Sequence, residues 1–183
     1  DTVRGSDYYI RSNSNVAQTD DVRVTAFNNN GFSVGTAGEV NQDTKQIASW
    51  TFREQKGFFD IVTYTGTGSA HSIAHSLGCV PGCIMVKCTS QSENWLVYHR
   101  GMAAGTNNNP GLYGMHLNTT TDRGSQNNTY WGNTDPTAQV FTVGTQGMVN
   151  SSGASYVAYL FAGGESTAAT ARSVDFDGSN DSV

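Results

Sequence analysis

The chain has 183 residues, a formal charge of -5 and only 14% charged residues, while glycine alone contributes 21. Its three lysines, Lys45, Lys56 and Lys87, cannot form a basic stripe that neutralises phosphates or an anionic bilayer surface, which argues against nucleic acid and membranes as partners. No apolar run approaches the roughly 20 residues that span a bilayer, and sparse charge with abundant Gly, Asn, Ser and Thr favours turns and short strands over helices. The expectation is an all-β protein, large enough to bury about 70% of the surface of its unfolded chain.

In chain order, Val3-Arg4-Gly5 and Ser12-Asn13-Ser14 come first, and they correspond loosely to His99-Arg100-Gly101 and Asn118-Thr119-Thr120 further on. A much stronger correspondence follows. Residues 32–52 match residues 141–161 without a gap at an offset of 109, with eight identities in 21 positions. Each copy alternates Phe and Val with polar residues, then runs Gly-Thr-x-Gly, then Val-Asn. The pattern predicts a strand, a tight turn with glycines at positive φ, and a returning strand. The returning strands would be residues 47–52, with Trp50, and 156–161, both rich in aromatic and β-branched residues and so expected in the core.

Residues 58–64 read as a strand and Gly66-Thr67-Gly68-Ser69 as a turn. Just beyond, His71, His75, Cys79 and Cys83 recur at four-residue intervals, a legitimate donor set for zinc. Gly78, Pro81 and Gly82 forbid the helix that would align them, so no metal site is assigned; the His-x-Leu-Gly-x-x-Pro run from His75 to Pro81 resembles a strand entry of phage fibre proteins, which implies a turn or packing role for His75. The three cysteines, Cys79, Cys83 and Cys88, cannot all pair within one chain. They read as buried thiols, with a local disulfide between two of them left open.

Residues 83–87 and 95–98, with Trp95, predict a hairpin closed by a polar turn near Ser90 to Asn94. It precedes the Arg-Gly anchor of the second half, and the first half has no counterpart. On the logic of the repeat, the missing strands are expected from an upstream segment of a longer polypeptide or from a neighbouring subunit. No Gly-x-Ser-x-Gly context stands out as a strained nucleophile elbow and no spacing pairs Asp60, Glu93, Asp122 or Asp135, so no catalytic residue is assigned and the chain is read as non-enzymatic, without a cofactor. The richest segment for a sugar is 122–135, where Asn128, Tyr130, Trp131, Asn133 and Asp135 combine stacking rings with amide and carboxylate groups. The stronger reading is that Trp131 closes the end of a sandwich while the asparagines make turns. Asn118, Asn127, Asn150 and Asn180 each begin an Asn-x-Ser/Thr sequence and read as polar turns.

Five segments result: a first half-repeat at 1–56, a connecting strand and turn at 57–80, a second half-repeat at 81–164, a small-residue linker at 165–172, and the start of another domain at 173–183. The expected architecture is a β-sandwich of the jelly-roll or concanavalin-like kind, built from two half-repeats that cover one another.

The run DTVRG, GFSVG, VN, GFFDIVTYTGTG, HSLGCVPG, IMVK, WLVYHRG, FTVGTQGMVN and YVAYLFAGG resembles a repeat domain of tailed-phage virion proteins, notably from marine and cyanobacterial phages. The closing VDFDGSND resembles the first strand of a laminin-G or concanavalin-like domain. The resemblance implies a structural module of a tail fibre or other external appendage, located in the virion and assembled with other virion proteins and copies of itself, by analogy as a homotrimer. Two other functions stay open: a lectin-like module that binds host-surface glycan through the 128–135 residues, and a capsid decoration protein.

Overall fold

The computed structural model describes residues 1–102, 109–121 and 127–164; the expectations for 122–126, the linker and the following domain lie outside these. The described chain is all-β. Its strands are β1 (Tyr8–Tyr9), β2 (Thr19–Asp20), β3 (Val24–Asn28), β4 (Gly31–Val34), β5 (Phe59–Thr65), β6 (His71–Ala74), β7 (Pro81–Cys88), β8 (Leu96–His99), β9 (Met115–His116), β10 (Val140–Val143) and β11 (Ser155–Ala162). Single helical turns α1 (Gly38–Asn41), α2 (Asn128–Trp131) and α3 (Gly147–Asn150) interrupt them.

The run Tyr156-Val157-Ala158-Tyr159-Leu160-Phe161 has no polar side chain facing either way except two phenols, the composition of a strand covered on both faces. It forms β11, which pairs antiparallel with β5 along one edge and with β7 along the other. The sheet continues through β8 to β9, giving the order β5-β11-β7-β8-β9. The predicted β7–β8 hairpin forms, with Ile84 opposite Tyr98 and Val86 opposite Leu96.

Two-residue periodicity sorts the side chains. Tyr156, Ala158 and Leu160 join Ile84, Val86, Cys88, Leu96 and Tyr98 in the core. Facing them are a ribbon of β6 and β10, which contributes Ile73, Phe141 and Val143, and beside it Trp131 from α2 and Met148 and Val149 from α3. Each such side chain stabilises the fold by about 1.5–3 kcal/mol when buried. The opposite face carries Trp95, Lys87 and Tyr159, and the N-terminal segment lies across it. Trp95 Nε1 donates to the Arg11 carbonyl at 2.8 Å, Lys87 Nζ to the Asn15 carbonyl at 3.2 Å, and the Tyr159 hydroxyl to the Asp1 carboxylate at 2.6 Å. Burial lowers the Lys87 pKa below its ordinary value.

Residues 47–52 depart from expectation. They form no strand, and Trp50 is 86% exposed. Their counterpart β11 is held by neighbours on both edges, whereas 47–52 has none among the described residues, and an unpaired strand does not persist in water. Phe52 alone reaches the sheet, edge-on to Phe161 at 5.3 Å.

Burial raises the phenol pKa of Tyr64, Tyr98 and Tyr159, and that of Tyr156 to about 12. An unfolded phenol ionises near pH 10, so the unfolded chain loses these protons first. Stability that is complete below about pH 10 is therefore lost as pH rises toward the folded values. A series of thermal melts should show the midpoint dropping steeply above about pH 10, with the tyrosinate absorbance of these four phenols appearing at unfolding and not before it, after that of Tyr9, whose pKa the Arg23 hydrogen bond lowers. Full ionisation of the tyrosines in a still-folded chain would contradict this account.

Candidate interaction surface

The duplicated motif folds the same way twice. In the first copy the N–H groups of Val40 and Asn41 donate to the Ala37 carbonyl at 3.0 and 2.9 Å; in the second, Val149 and Asn150 donate to Gln146 at 3.0 and 2.8 Å. Ala37 and Gln146 are both extended, so the chain enters a single helical turn after a strand and not the hairpin turn predicted. None of Gly35, Gly38, Gly144 or Gly147 has positive φ. What Gly144 supplies is room: a Cβ there would collide with the backbone of Thr129.

At the end of each turn the asparagine reaches back. Asn41 Nδ2 donates to the Gly35 carbonyl at 3.1 Å, and Asn150 Nδ2 to the Gly144 carbonyl at 2.5 Å. Here the copies diverge. Asn150 is fully buried, and the loop between β5 and β6 closes over it: its Oδ1 accepts from the Thr67 N–H at 2.7 Å and its Nδ2 donates to the Ser69 carbonyl at 2.8 Å. The Gly68 N–H donates to its main-chain carbonyl at 2.9 Å. Gly66 lies so close beneath that a Cβ would strike Ser151, Asn150 and the Tyr156 ring. Tyr64 stacks on Tyr156 at 5.1 Å and donates its hydroxyl to the Val149 carbonyl at 2.9 Å.

The first copy has no such cover. Phe32 is 38% and Val34 37% exposed, where their equivalents Phe141 and Val143 are 1% and 0% exposed. Asn41 is exposed as well. With Val16, Val22, Phe27 and Ile47 also exposed, the first half presents far more apolar surface than the second. This open motif is the candidate functional surface. Asn150 read as a polar turn in the sequence, and its actual role was detectable only from its recurrence at the end of both copies.

The residues proposed for sugar contact are dispersed in their environments. Trp131 is buried, its ring edge-on to Tyr98 at 5.9 Å and its Nε1 donating to the Tyr113 carbonyl at 2.9 Å. It offers no face to a ligand. Tyr130 is half-buried against the core, while Asn128, Asn133 and Asp135 are exposed. Asn109 Nδ2 donates to Asn133 Oδ1 at 2.7 Å, and Asp135 accepts from the Gly111 N–H at 3.0 Å.

The His/Cys series is spread along two strands and a loop. His75 bridges locally, with Nδ1 accepting from the Leu77 N–H at 3.3 Å, which leaves Nε2 to donate to the Thr137 carbonyl at 3.1 Å. His71 Nδ1 lies 3.0 Å from the Ser69 carbonyl. Cys83 and Cys88, five positions apart on β7, project to opposite faces and cannot bridge each other. Among the described residues no group of three His, Cys, Asp or Glu side chains is placed to hold a metal ion.

The family model described as Domain of unknown function (DUF7483) matches residues 1–171. The chain belongs to the DUF7483 family. No curated protein and no solved structure matches it. The match to DUF7483 spans both copies of the motif, so the sealed and the open copy lie within one family unit. No helix among the described residues of this DUF7483 chain is long and apolar enough to cross a membrane.

The two asparagines should behave differently on truncation. Asn150→Ala removes three hydrogen bonds at once, leaving the buried Gly144 carbonyl without its amide partner, and should cost at least about 2 kcal/mol, whereas exposed Asn41→Ala should change stability by less than about 0.5 kcal/mol. Urea unfolding of both variants checks this, and equal losses would show that the loop does not depend on Asn150. By the same method Trp131→Ala should lose about 3–5 kcal/mol, as expected for a buried indole; a near-neutral result would return this ring to consideration as a ligand platform.

Proposed function

We propose that this DUF7483 chain is a non-enzymatic building module of a phage virion, used to join neighbouring parts of a tail fibre or comparable external appendage. The observation that carries this reading is the pairing of a sealed motif with an open copy of the same motif in one chain. A unit that must join to like units keeps one joint closed within itself and offers another outward. The side chains that first suggested chemistry are absorbed by structure: Asp60 accepts from the Ser76 N–H at 2.6 Å, and His75 spans a loop. The virion setting rests on the resemblance of the DTVRG, GFFDIVTYTGTG and FTVGTQGMVN segments to phage repeat domains.

The glycan-binding reading loses its strongest ring with the burial of Trp131. Peptide mapping of purified virions, combined with antibody labelling under the electron microscope, tests the proposal. Peptides of this chain should be recovered from intact particles and the label should fall on the tail or its fibres. Labelling over the capsid would support decoration instead, and recovery only from the infected-cell lysate would reject a virion role.

A further inference from the structure

The open motif has a defined complement, because the sealed copy displays what fits the same fold. In the sealed copy the edge of β10 is taken by β6, with Phe141 opposite Ile73 and Thr142 opposite Ser72. The β5–β6 loop then engages Asn150 through Thr67, Gly68 and Ser69. In the open copy β4 has a different neighbour, β3, with Asn28 opposite Gly31.

The two neighbours occupy different edges. The positions equivalent to Asn28 and Gly31 are Thr137 and Val140, and in the sealed copy the Thr137 N–H donates to the Val140 carbonyl at 2.8 Å. Residue 140 therefore points its polar groups away from β6, while the neighbouring Gln139 carbonyl accepts from the His75 N–H at 2.9 Å on the β6 side. Because hydrogen-bonding direction alternates along a strand, β3 lies on the far edge of β4. The edge that β6 would use is unpaired among the described residues. Beside it stand Phe32, Val34 and Asn41, all exposed.

We propose that the first motif is an acceptor for a strand, glycine-rich loop and strand of the chemistry of residues 59–74, supplied by a neighbouring DUF7483 module. This deepens the reading of the chain as a building module and rests on it. The incoming segment places an apolar residue, the counterpart of Ile73, opposite Phe32. Its Thr-Gly-Thr-Gly-Ser loop delivers an N–H and a carbonyl to the Asn41 amide, the same two-sided pairing that Asn150 makes with Thr67 and Ser69. The first glycine of that loop is required, since the Gly66 position admits no Cβ against the motif. Main-chain pairing along β4 supplies affinity, and the asparagine and the glycine set register and specificity.

A labelled synthetic peptide of residues 57–80 is titrated into the full chain and followed by fluorescence anisotropy and hydrogen exchange. Saturable binding is expected, with new protection over residues 31–41. Asn41→Ala in the chain, or Gly66→Ala in the peptide, should weaken it by about tenfold or more, the worth of one or two buried hydrogen bonds. A Val34→Ser chain gives an independent check through the apolar contact.

Absence of saturable binding up to about 1 mM, a limit corresponding to about 4 kcal/mol, would overturn the proposal. So would protection confined to residues 140–150, which would mean that the peptide only exchanges with its own copy in the sealed motif. Sedimentation that shows a dimer abolished by Val34→Ser, with no peptide binding, would assign the face to a different surface of a second copy, not to its 59–74 segment, and reject this occupant. Each of these failures leaves the virion assignment standing, because that assignment is decided by particle mapping.

Discussion

The side-chain amide of Asn150 is the constraint around which the described fold closes. Fully buried, it must satisfy its donors and its acceptor without water, and it does so with two segments: the distant loop of Thr67 and Ser69 before β6, and Gly144 just after β10. Those bonds fix where the β5–β6 loop sits. The loop in turn fixes β6 beside β10 and Tyr64 on Tyr156, and the ribbon so formed caps the apolar face of the large sheet. An amide in this setting acts as a length of main chain that belongs to no strand.

The other face of the sheet is held by different means. Trp95, Lys87 and Tyr159 each send one polar atom to the N-terminal segment, while their apolar bodies cover the strands. Lys87 is the costly member, since burial disfavours its charge, and its ammonium is compensated by the carbonyls of Asn15 and Cys88. The first half therefore contributes to the sheet by covering it, without adding a strand to it.

Much of the sheet was legible in the sequence. Alternating residues in Ile84-Met85-Val86 and Leu96-Val97-Tyr98 specify a hairpin, and the apolar run of β11 specifies a strand covered twice. The repeat was also legible, down to its one-residue register. Two things were not. The strand character of 47–52 is real as composition, but a strand exists only with partners, and composition does not list them. The helical turn after Gly-Thr-x-Gly was hidden because glycine pairs suggest positive φ, while here Gly144 answers to the nearness of Thr129. Trp131, read first as a residue that closes one end of the fold, is buried: Asn128, Asn133 and Asp135 describe the rim of the loop and the indole describes its floor.

The position of β11 governs when the molecule can form during synthesis. β11 is the last strand described, yet it lies between β5 and β7, both made long before it. A nascent chain that has emerged only as far as β10 holds β5 and the β7–β8 hairpin with a strand-wide gap between them, and no partial sheet can be completed from the N-terminus onward. Closure of the sheet waits for β11, which then joins β5 to the β7–β8 hairpin in one step. Until that moment β5 and β7 expose edges competent to pair with the same strands of a neighbouring nascent chain, so chaperone occupancy should concentrate on the interval before residue 155 leaves the exit tunnel.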